Sequence, residues 1–312
     1  MEEHAVSGYS FRPDALNVDK RPPGLSAFMR IRNGEDFLEA AIRSHIPFFD
    51  EVVAVYNQCT DATPDILARL AQEYGPKLRV IHYLDRVHPP GSSEHASEPP
   101  NSPHSLVNYY NFALAQTRFQ IATKLDDDHL AIPDAFQALC KQLRAEGMDG
   151  SVMHCFSGIN LMRDGDSGMA IAGHDTIAGN GDHGFFRVTS NTYFTHDKRF
   201  ERLERDGAKR VFWGFLYWHL KYLKPSLGFA NYELKANPES RYGKKLDAAR
   251  RAATLDPDAF LSRIGRYDPM LALEAVFSSK QRIRLAQRHA LREGGLPEPL
   301  SAVEQRLAAC VY

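Results

Sequence analysis

A chain of 312 residues that is 43% hydrophobic can bury a full core, and by length it holds one large domain or two small ones. Its formal net charge of -1 excludes the broad basic footprint of a nucleic-acid binder. No run of about 20 apolar residues is present to span a bilayer as a helix, so any membrane contact is expected to be peripheral.

The start, Met1-Glu2-Glu3-His4, lacks the basic then apolar pattern of a signal peptide, which favours a cytoplasmic location. Cys59, Cys140, Cys155 and Cys310 agree with that, having neither CxxC spacing nor the number a disulfide framework needs. They read as reduced, mostly buried thiols.

From residue 25 to about 146, short β-branched or apolar runs alternate with helical ones, the pattern of parallel βαβ units. Leu25–Ile31 reads as the first strand. Glu35–His45 follows with apolar residues at Phe37, Leu38, Ala41 and Ile42, a helical spacing that packs one face on a sheet. Glu51–Tyr56 is the second strand. Thr63-Pro64 opens the next helix as N-cap and first helical position, and Gly75 closes it. Leu78–Leu84 is the third strand.

Residues 85–103, rich in Pro, Ser and His, interrupt the alternation with a connection long enough to be a lid or a binding loop. The histidines around it, His82, His88, His95 and His104, fit no zinc spacing. Ser105 caps a helix, and Gln120–Leu125 makes the fourth strand. A helix over Pro133–Glu146 comes next. Strands are then expected at Ser151–Leu161 and Phe185–Val188, separated by glycine-rich turns in an acceptor-side α+β portion.

Phe212-Trp213-Gly214-Phe215-Leu216-Tyr217-Trp218-His219-Leu220-Lys221 gathers both tryptophans of the chain, as a sugar-stacking platform or as an aromatic core helix. Beyond about 240 the chain is mainly helical, and Lys280 to Leu285 with Arg288 and Arg292 forms a basic stretch. That stretch reads as a solvated helix face or as a peripheral contact with anionic lipid at the inner face of the membrane.

The fourth strand ends in Lys124-Leu125-Asp126-Asp127-Asp128-His129, where three carboxylates follow one another. Like charges about 4 Å apart repel by about 1 kcal/mol in water and several-fold more at a protein surface, so the run invites a divalent cation. Its place at the carboxyl end of a parallel strand is where open α/β sheets bind ligands. A solvated acidic turn, or a cap ahead of Pro133, is the plainer alternative.

These segments resemble the nucleotide-sugar glycosyltransferases with the GT-A fold, of the family 2 type. Leu25 to Asn33 looks like that family's opening strand and turn, with Arg30 where proline is common. Val53-Ala54-Val55-Tyr56-Asn57-Gln58-Cys59-Thr60-Asp61-Ala62-Thr63 is similar to its VVDDGSTDGT run, Asn57 standing where an aspartate recognises the nucleobase. Asn111, Ala113 and Asp126 reproduce the family's spacing, the DxD motif starting fifteen positions after the Asn.

The resemblance implies a GT-A α/β fold, a doubly wound, mostly parallel sheet flanked by helices with a mainly helical C-terminal extension. The implied divisions are an N-terminal extension over 1–24, a transferase domain over 25–240 with nucleotide and acceptor halves meeting at 130/131, and the extension over 241–312. It also implies a metal-dependent, inverting transfer from a nucleoside-diphosphate sugar to a saccharide or lipid-linked saccharide, in polysaccharide or glycoconjugate synthesis. Arg30, Ile31, Arg32, Asn57, Asn111, Asp126 and Asp127 would contact the donor. Asp128, with Asp126 and a late histidine, His219, would hold Mn²⁺ or Mg²⁺, and imidazole favours manganese. A satisfied core histidine is the plainer reading of His219.

The acceptor's proton needs a carboxylate base. The strand Phe185-Phe186-Arg187 resembles the one that precedes it in the family, and the usual interval lands on Asp206, then Glu204, with Asp182 beside His183 as a third candidate. Helix-surface pairing with Arg202 and Arg205 is the plain alternative for the first two. Two further readings compete: a sugar-nucleotide pyrophosphorylase, which expects more glycine than Gly34 after the first strand, and a non-catalytic carbohydrate-binding module of the same fold.

Overall fold

The computed structural model describes residues 4–165, 168–196, 201–234 and 241–310. Met1-Glu2-Glu3 and the boundary expected at 240 lie outside the described residues. Five strands form the parallel half of the sheet: β1 (Ala5–Val6), β2 (Leu25–Ile31), β3 (Glu51–Asn57), β4 (Leu78–Tyr83) and β5 (Ile121–Leu125), in the order β1-β4-β3-β2-β5. The chain winds outward from β2 through β3 to β4 and then crosses to the other side of β2. The sheet therefore has its topological switch point between β2 and β5.

Alternate residues of β2 face opposite layers, because successive side chains on a strand point to opposite faces. Leu25, Ala27, Met29 and Ile31 join the core under α1 (Leu38–His45), α2 (Thr63–Tyr74) and α5 (Pro133–Glu146). Phe28 joins Val53, Val55 and Ile81 under α4 (Leu106–Ala115). Coverage on both faces is why these strands read as unbroken apolar runs. Each fully buried Leu, Ile or Phe there contributes roughly 1.5–3 kcal/mol.

The loops after β2 and β3 are stitched together. Asn33, left-handed at φ 50°, accepts the Thr60 N–H at 2.8 Å, and the Gly34 N–H donates to Thr63 Oγ1 at 2.8 Å. Thr63 is thus a loop-to-loop tie, while Ala62 occupies the N-cap position with no side-chain cap bond, a correction to the cap expected from sequence. Ser105 does cap α4, accepting the Asn108 N–H at 3.5 Å. The long connection carries one short helix, α3 (Ser93–Ser97).

Past β5 come β6 (His129–Ala131), β7 (Val152–Arg163), β8 (Met169–Ala172), β9 (Ile177–Ala178), β10 (Gly184–Arg187) and β13 (Lys209–Tyr222), while β11 (Phe194–His196) and β12 (Glu201–Leu203) form a separate pair. The sheet continues β5-β10-β7-β13-β6, with β10 antiparallel to both neighbours, β13 parallel to β7 and β6 antiparallel to β13. The aromatic segment read as a helix or platform is therefore a strand. Tyr217, His219 and Lys221 face the cavity described below, while Trp218 and Leu220 enter a core with Phe260, Leu291 and Val303. Trp218 is fully buried and its indole N–H donates to Glu298 at 2.7 Å, so it stacks on no ligand.

That core lies beneath the C-terminal helices α7 (Pro257–Gly265), α9 (Ser279–Gly294) and α10 (Leu300–Ala309), with α8 (Pro269–Phe277) packed on α9, all following α6 (Arg241–Arg250) and the short β14 (Thr254–Leu255). Asp256, Asp268 and Ser278 cap α7, α8 and α9 through their side chains. Among the described residues no helix is long and apolar enough to cross a membrane. A mostly parallel half, a mixed second half and C-terminal helices make an α/β fold with a helical C-terminal part, as expected.

One buried group links this core to pH. His45 at the end of α1 is 1% exposed, its ring edge-on to Phe136 and its Nδ1 2.8 Å from the Ala41 carbonyl. Burial holds its pKa down at about 4. The unfolded chain takes up this proton near pH 6.5, the folded one only near 4, so stability falls as pH drops through that window, by roughly 3 kcal/mol at most. Urea unfolding at pH 7, 5.5 and 4.5 should show a shallower decline for His45→Leu than for the wild type. An unchanged slope would remove His45 from the account.

Candidate active site

The turn Asp126–Asp128 joins β5 to β6 at the switch point, and a cavity of about 940 Å³ opens over it. One strand register and two hydrogen bonds bring other groups to that turn. Pairing of β6 with β13 sets His219 opposite His129. The Leu220 N–H donates to the Asp128 carbonyl at 2.8 Å, which fixes the turn against β13. Thr123 Oγ1 donates to the Gly184 carbonyl at 3.0 Å, anchoring β10 and so placing His183 beside β5.

Asp128 is buried, with its carboxylate between His219 Nε2 at 3.2 Å and Lys224 Nζ at 3.0 Å. Burial would raise its pKa, but Lys224 and then His219 outweigh burial and hold it well below the usual carboxylate range. Asp127 lies 3.3 Å from the same Lys224 ammonium. There burial wins, with Asp128 and Asp126 adding to it, and the carboxyl is pushed up to about 6. Asp126 pairs with Lys124 at 3.0 Å and stays below the ordinary range, Lys124 outweighing the burial that would raise it. Gly34 is required above the turn, since a Cβ there would come within 2.5 Å of Asp127 Oδ2.

The tautomer of His219 follows from its neighbour. Asn160 donates its amide to the Asp175 carbonyl at 2.5 Å, so its Oδ1 accepts from His219 Nδ1, also at 2.5 Å. Its Nε2 then faces Asp128 Oδ1 at 3.2 Å, and a divalent ion held by imidazole and carboxylate would fit between them.

Of the other donor-side residues, Arg30 is packed with its guanidinium 3.7 Å above the Tyr110 ring, bonded to the Tyr110 hydroxyl at 2.5 Å, and it lines the cavity. Arg32 lines it too. Ile31 is core, with its carbonyl accepting from Tyr109 at 3.4 Å, and its side chain does not reach the cavity. Asn57 lies on the cavity wall with its amide committed to the Tyr83 and Asp85 carbonyls at 2.7 and 2.6 Å and its oxygen to the Val87 N–H at 3.2 Å. Asn111 accepts the Phe194 N–H at 2.7 Å and donates to the Phe194 carbonyl at 2.9 Å, away from the cavity. Its structural effect is to tie α4 to β11.

The three base candidates separate. Asp206 sits outside the cavity in a left-handed turn at φ 50°, bonded to Thr189 at 2.8 Å and Asn191 at 3.1 Å. Neither it nor Glu204 lies on a helix, which corrects the helix-surface alternative. Glu204 lines the cavity but is paired with Arg202 at 2.5 Å and accepts from Thr195 at 3.1 Å. Asp182 also lines it, 3.9 Å from His183 Nε2.

No family model and no curated protein matches the chain. Among solved structures, glucosyl-3-phosphoglycerate synthase from Mycobacterium tuberculosis in complex with phosphoglyceric acid is similar at 15% identity and a TM-score of 0.38, over 80% of this chain and 86% of that one. The same synthase with Mn²⁺, UDP and glucosyl-3-phosphoglycerate matches at 15% identity and a TM-score of 0.35, over 85% and 89%. A third complex, with Mn²⁺, UDP and phosphoglyceric acid, matches at 18% identity and a TM-score of 0.28 over 53% of this chain, which spans 52% of that one. Likeness this slight assigns neither activity nor ligand.

Sequence reasoning missed Lys224, Asn160, His129 and His183 as parts of the site. His129 adjoins the triplet and His183 adjoins Asp182, so adjacency to acidic candidates was the available signal. Lys224 and Asn160 carried none, since Asn160 reaches His219 only through the β7–β13 register and Lys224 reaches Asp128 from the turn after β13.

Proposed function

We propose that the chain is a metal-dependent glycosyltransferase, inverting in outcome, that moves a sugar from a nucleoside-diphosphate donor to a saccharide or lipid-linked saccharide acceptor. The observation that carries this reading is the convergence of Asp128, His219 and Lys224 at the switch point of a doubly wound sheet. Asp128 and His219 would hold Mn²⁺ or Mg²⁺, and Asp126 and Asp127 face the donor side. When bound, the ion neutralises charge that grows on the departing nucleoside diphosphate. Arg30, Arg32, Lys124 and Lys224 line the same cavity and supply further positive charge to phosphate oxygens.

On the acceptor side, Arg202, Arg205, Arg210 and Lys280 line the cavity, a wall that suits an acceptor carried on a phosphate group. Asp182 is the carboxylate placed to take the acceptor's proton. Asp182→Ala should slow transfer by about 10²–10⁴-fold while sparing donor binding. Asp206→Ala should leave the rate within a few-fold of wild type, and the opposite ranking would return the base to Asp206.

The protein would work in the cytoplasm, in contact with the inner face of a membrane. Met270, Leu273, Val276 and Phe277 form a stripe along α8, with exposures of 63%, 59%, 66% and 83%, beside Tyr267 and the basic helix α9. Sedimentation with anionic vesicles should fall sharply for Met270→Ser/Phe277→Ser. Equal sedimentation of both forms would argue against the contact. The transferase reading is tested by incubating the protein with UDP-, GDP- and dTDP-sugars, Mn²⁺ and saccharide or phosphosaccharide acceptors. Release of nucleoside diphosphate that EDTA abolishes is expected, and no release from any donor would sink it.

A further inference from the structure

Two imidazoles beside the acidic turn have no task in the proposed transfer. His129 is 1% exposed and stacks on Tyr217 with ring centroids 3.7 Å apart, yet neither ring nitrogen has a hydrogen-bond partner. His183 is 8% exposed and its Nδ1 is likewise unpartnered. A buried polar atom left unpaired costs about 1–3 kcal/mol, and native structures keep one where another ligand satisfies it.

Both imidazoles converge on one oxygen. His129 Nε2 lies 3.6 Å and His183 Nε2 lies 3.8 Å from Asp126 Oδ2, and one donor atom from each of the three residues falls within 4.8 Å of the others. An ion with ligands at about 2.0–2.2 Å sets its donors roughly 3.0–3.5 Å apart, so the two separations from Asp126 need close by only a few tenths of an ångström, with the imidazoles turning in by more. His129 can also be grouped with Asp128 and His219. A single nitrogen serves a single ion, however, and His129 Nε2 lies 3.6 Å from Asp126 Oδ2, an oxygen that also accepts from Lys124 Nζ at 3.1 Å.

We propose that Asp126, His129 and His183 form a second metal position, distinct from the Asp128–His219 position and selective for a transition-metal ion such as Mn²⁺, Co²⁺ or Zn²⁺ over Mg²⁺. Two imidazoles and one carboxylate make a ligand set that suits those ions, whereas Mg²⁺ prefers oxygen donors and retained waters. Asp126 and His183 line the cavity, so the remaining coordination positions open toward ligand. The position also adjoins Asp182, 3.9 Å from His183, and thus lies on the acceptor side of the donor's ion. A Lewis acid there would lower the pKa of an acceptor hydroxyl bound to it.

The test uses metal-free, nucleotide-free protein titrated with Co²⁺, following visible d–d absorption and bound metal per chain. Wild type should take up two equivalents. His183→Ala should lose one equivalent and most of the absorption, yet keep the Mn²⁺-dependent stabilisation by UDP or another nucleoside diphosphate. Asp128→Asn should do the reverse, and His129→Gln, read alongside, should match His183→Ala. Metal uptake that His183→Ala leaves unreduced, an unchanged spectrum in that variant, or displacement of the absorbing Co²⁺ by equimolar Mg²⁺ would overturn the proposal. The metal count and the spectrum need no nucleotide, so they stand or fall apart from the transferase reading on which the assignment of Asp128 rests.

Discussion

Asp128→Asn should slow sugar transfer by on the order of 10³-fold and abolish metal-dependent nucleotide binding, while the chain still folds. The buried side chain touches His219 Nε2 at 3.2 Å and Lys224 Nζ at 3.0 Å. Asparagine keeps its shape but removes its charge. Stabilisation of developing charge by a bound ion is worth several kcal/mol, and each 1.36 kcal/mol is tenfold in rate. Lys224 keeps Asp127 at 3.3 Å as a partner, so the loss to stability should stay near about 1–3 kcal/mol. Steady-state transfer and calorimetric nucleotide titration, each with and without Mn²⁺, check this. A variant with wild-type transfer would move the metal away from Asp128.

Gly158→Ala should have the largest effect of any single-methyl change in the site. A Cβ at Gly158 would lie 2.2 Å from Tyr217 Cε2, and Tyr217 has no retreat, being 1% exposed and stacked on His129 at 3.7 Å. Overpacking of this kind costs about 1–3 kcal/mol, occasionally more, and a ring clamped on its far side belongs at the upper end. Moving Tyr217 would also push His129 out of line with Asp126, so metal uptake should fall further than stability alone explains. Denaturant unfolding and metal titration of the same variant measure both. Wild-type stability would show that the ring has room to move.

Much of the fold was legible because local pattern and tertiary role agree in the parallel half. Leu25–Ile31 and Pro133–Glu146 are observed with the bounds their apolar runs and flanking signals predict. The aromatic run was misread because a strand buried on both faces has apolar residues at nearly every position, and periodicity then ceases to separate strand from helix. Within the site, the acidic turn was legible because strand, charge run and switch point coincide.

The proposed base was not legible. Asp182 reaches the cavity through the pairing of β10 with β5 and β7, and Asp206, at the family-like interval, turns toward Thr189 and Asn191. Interval counting measures distance along the chain, whereas that choice depends on which loop returns to the sheet. Asn111 shows the same limit: its spacing to Asp126 was legible, but its commitment to the Phe194 backbone was not.

Binding of a nucleoside diphosphate to the acidic turn through a metal ion is read out by melting temperature with UDP, GDP and dTDP, each with and without Mn²⁺. A ligand at 100 times its Kd that binds only the native state stabilises it by about 2.7 kcal/mol, worth roughly 5 °C or more for a chain of this size. At least one nucleotide should give such a rise in the presence of Mn²⁺ and lose it with EDTA. Melting that no nucleotide shifts, or a shift indifferent to metal, would contradict the account.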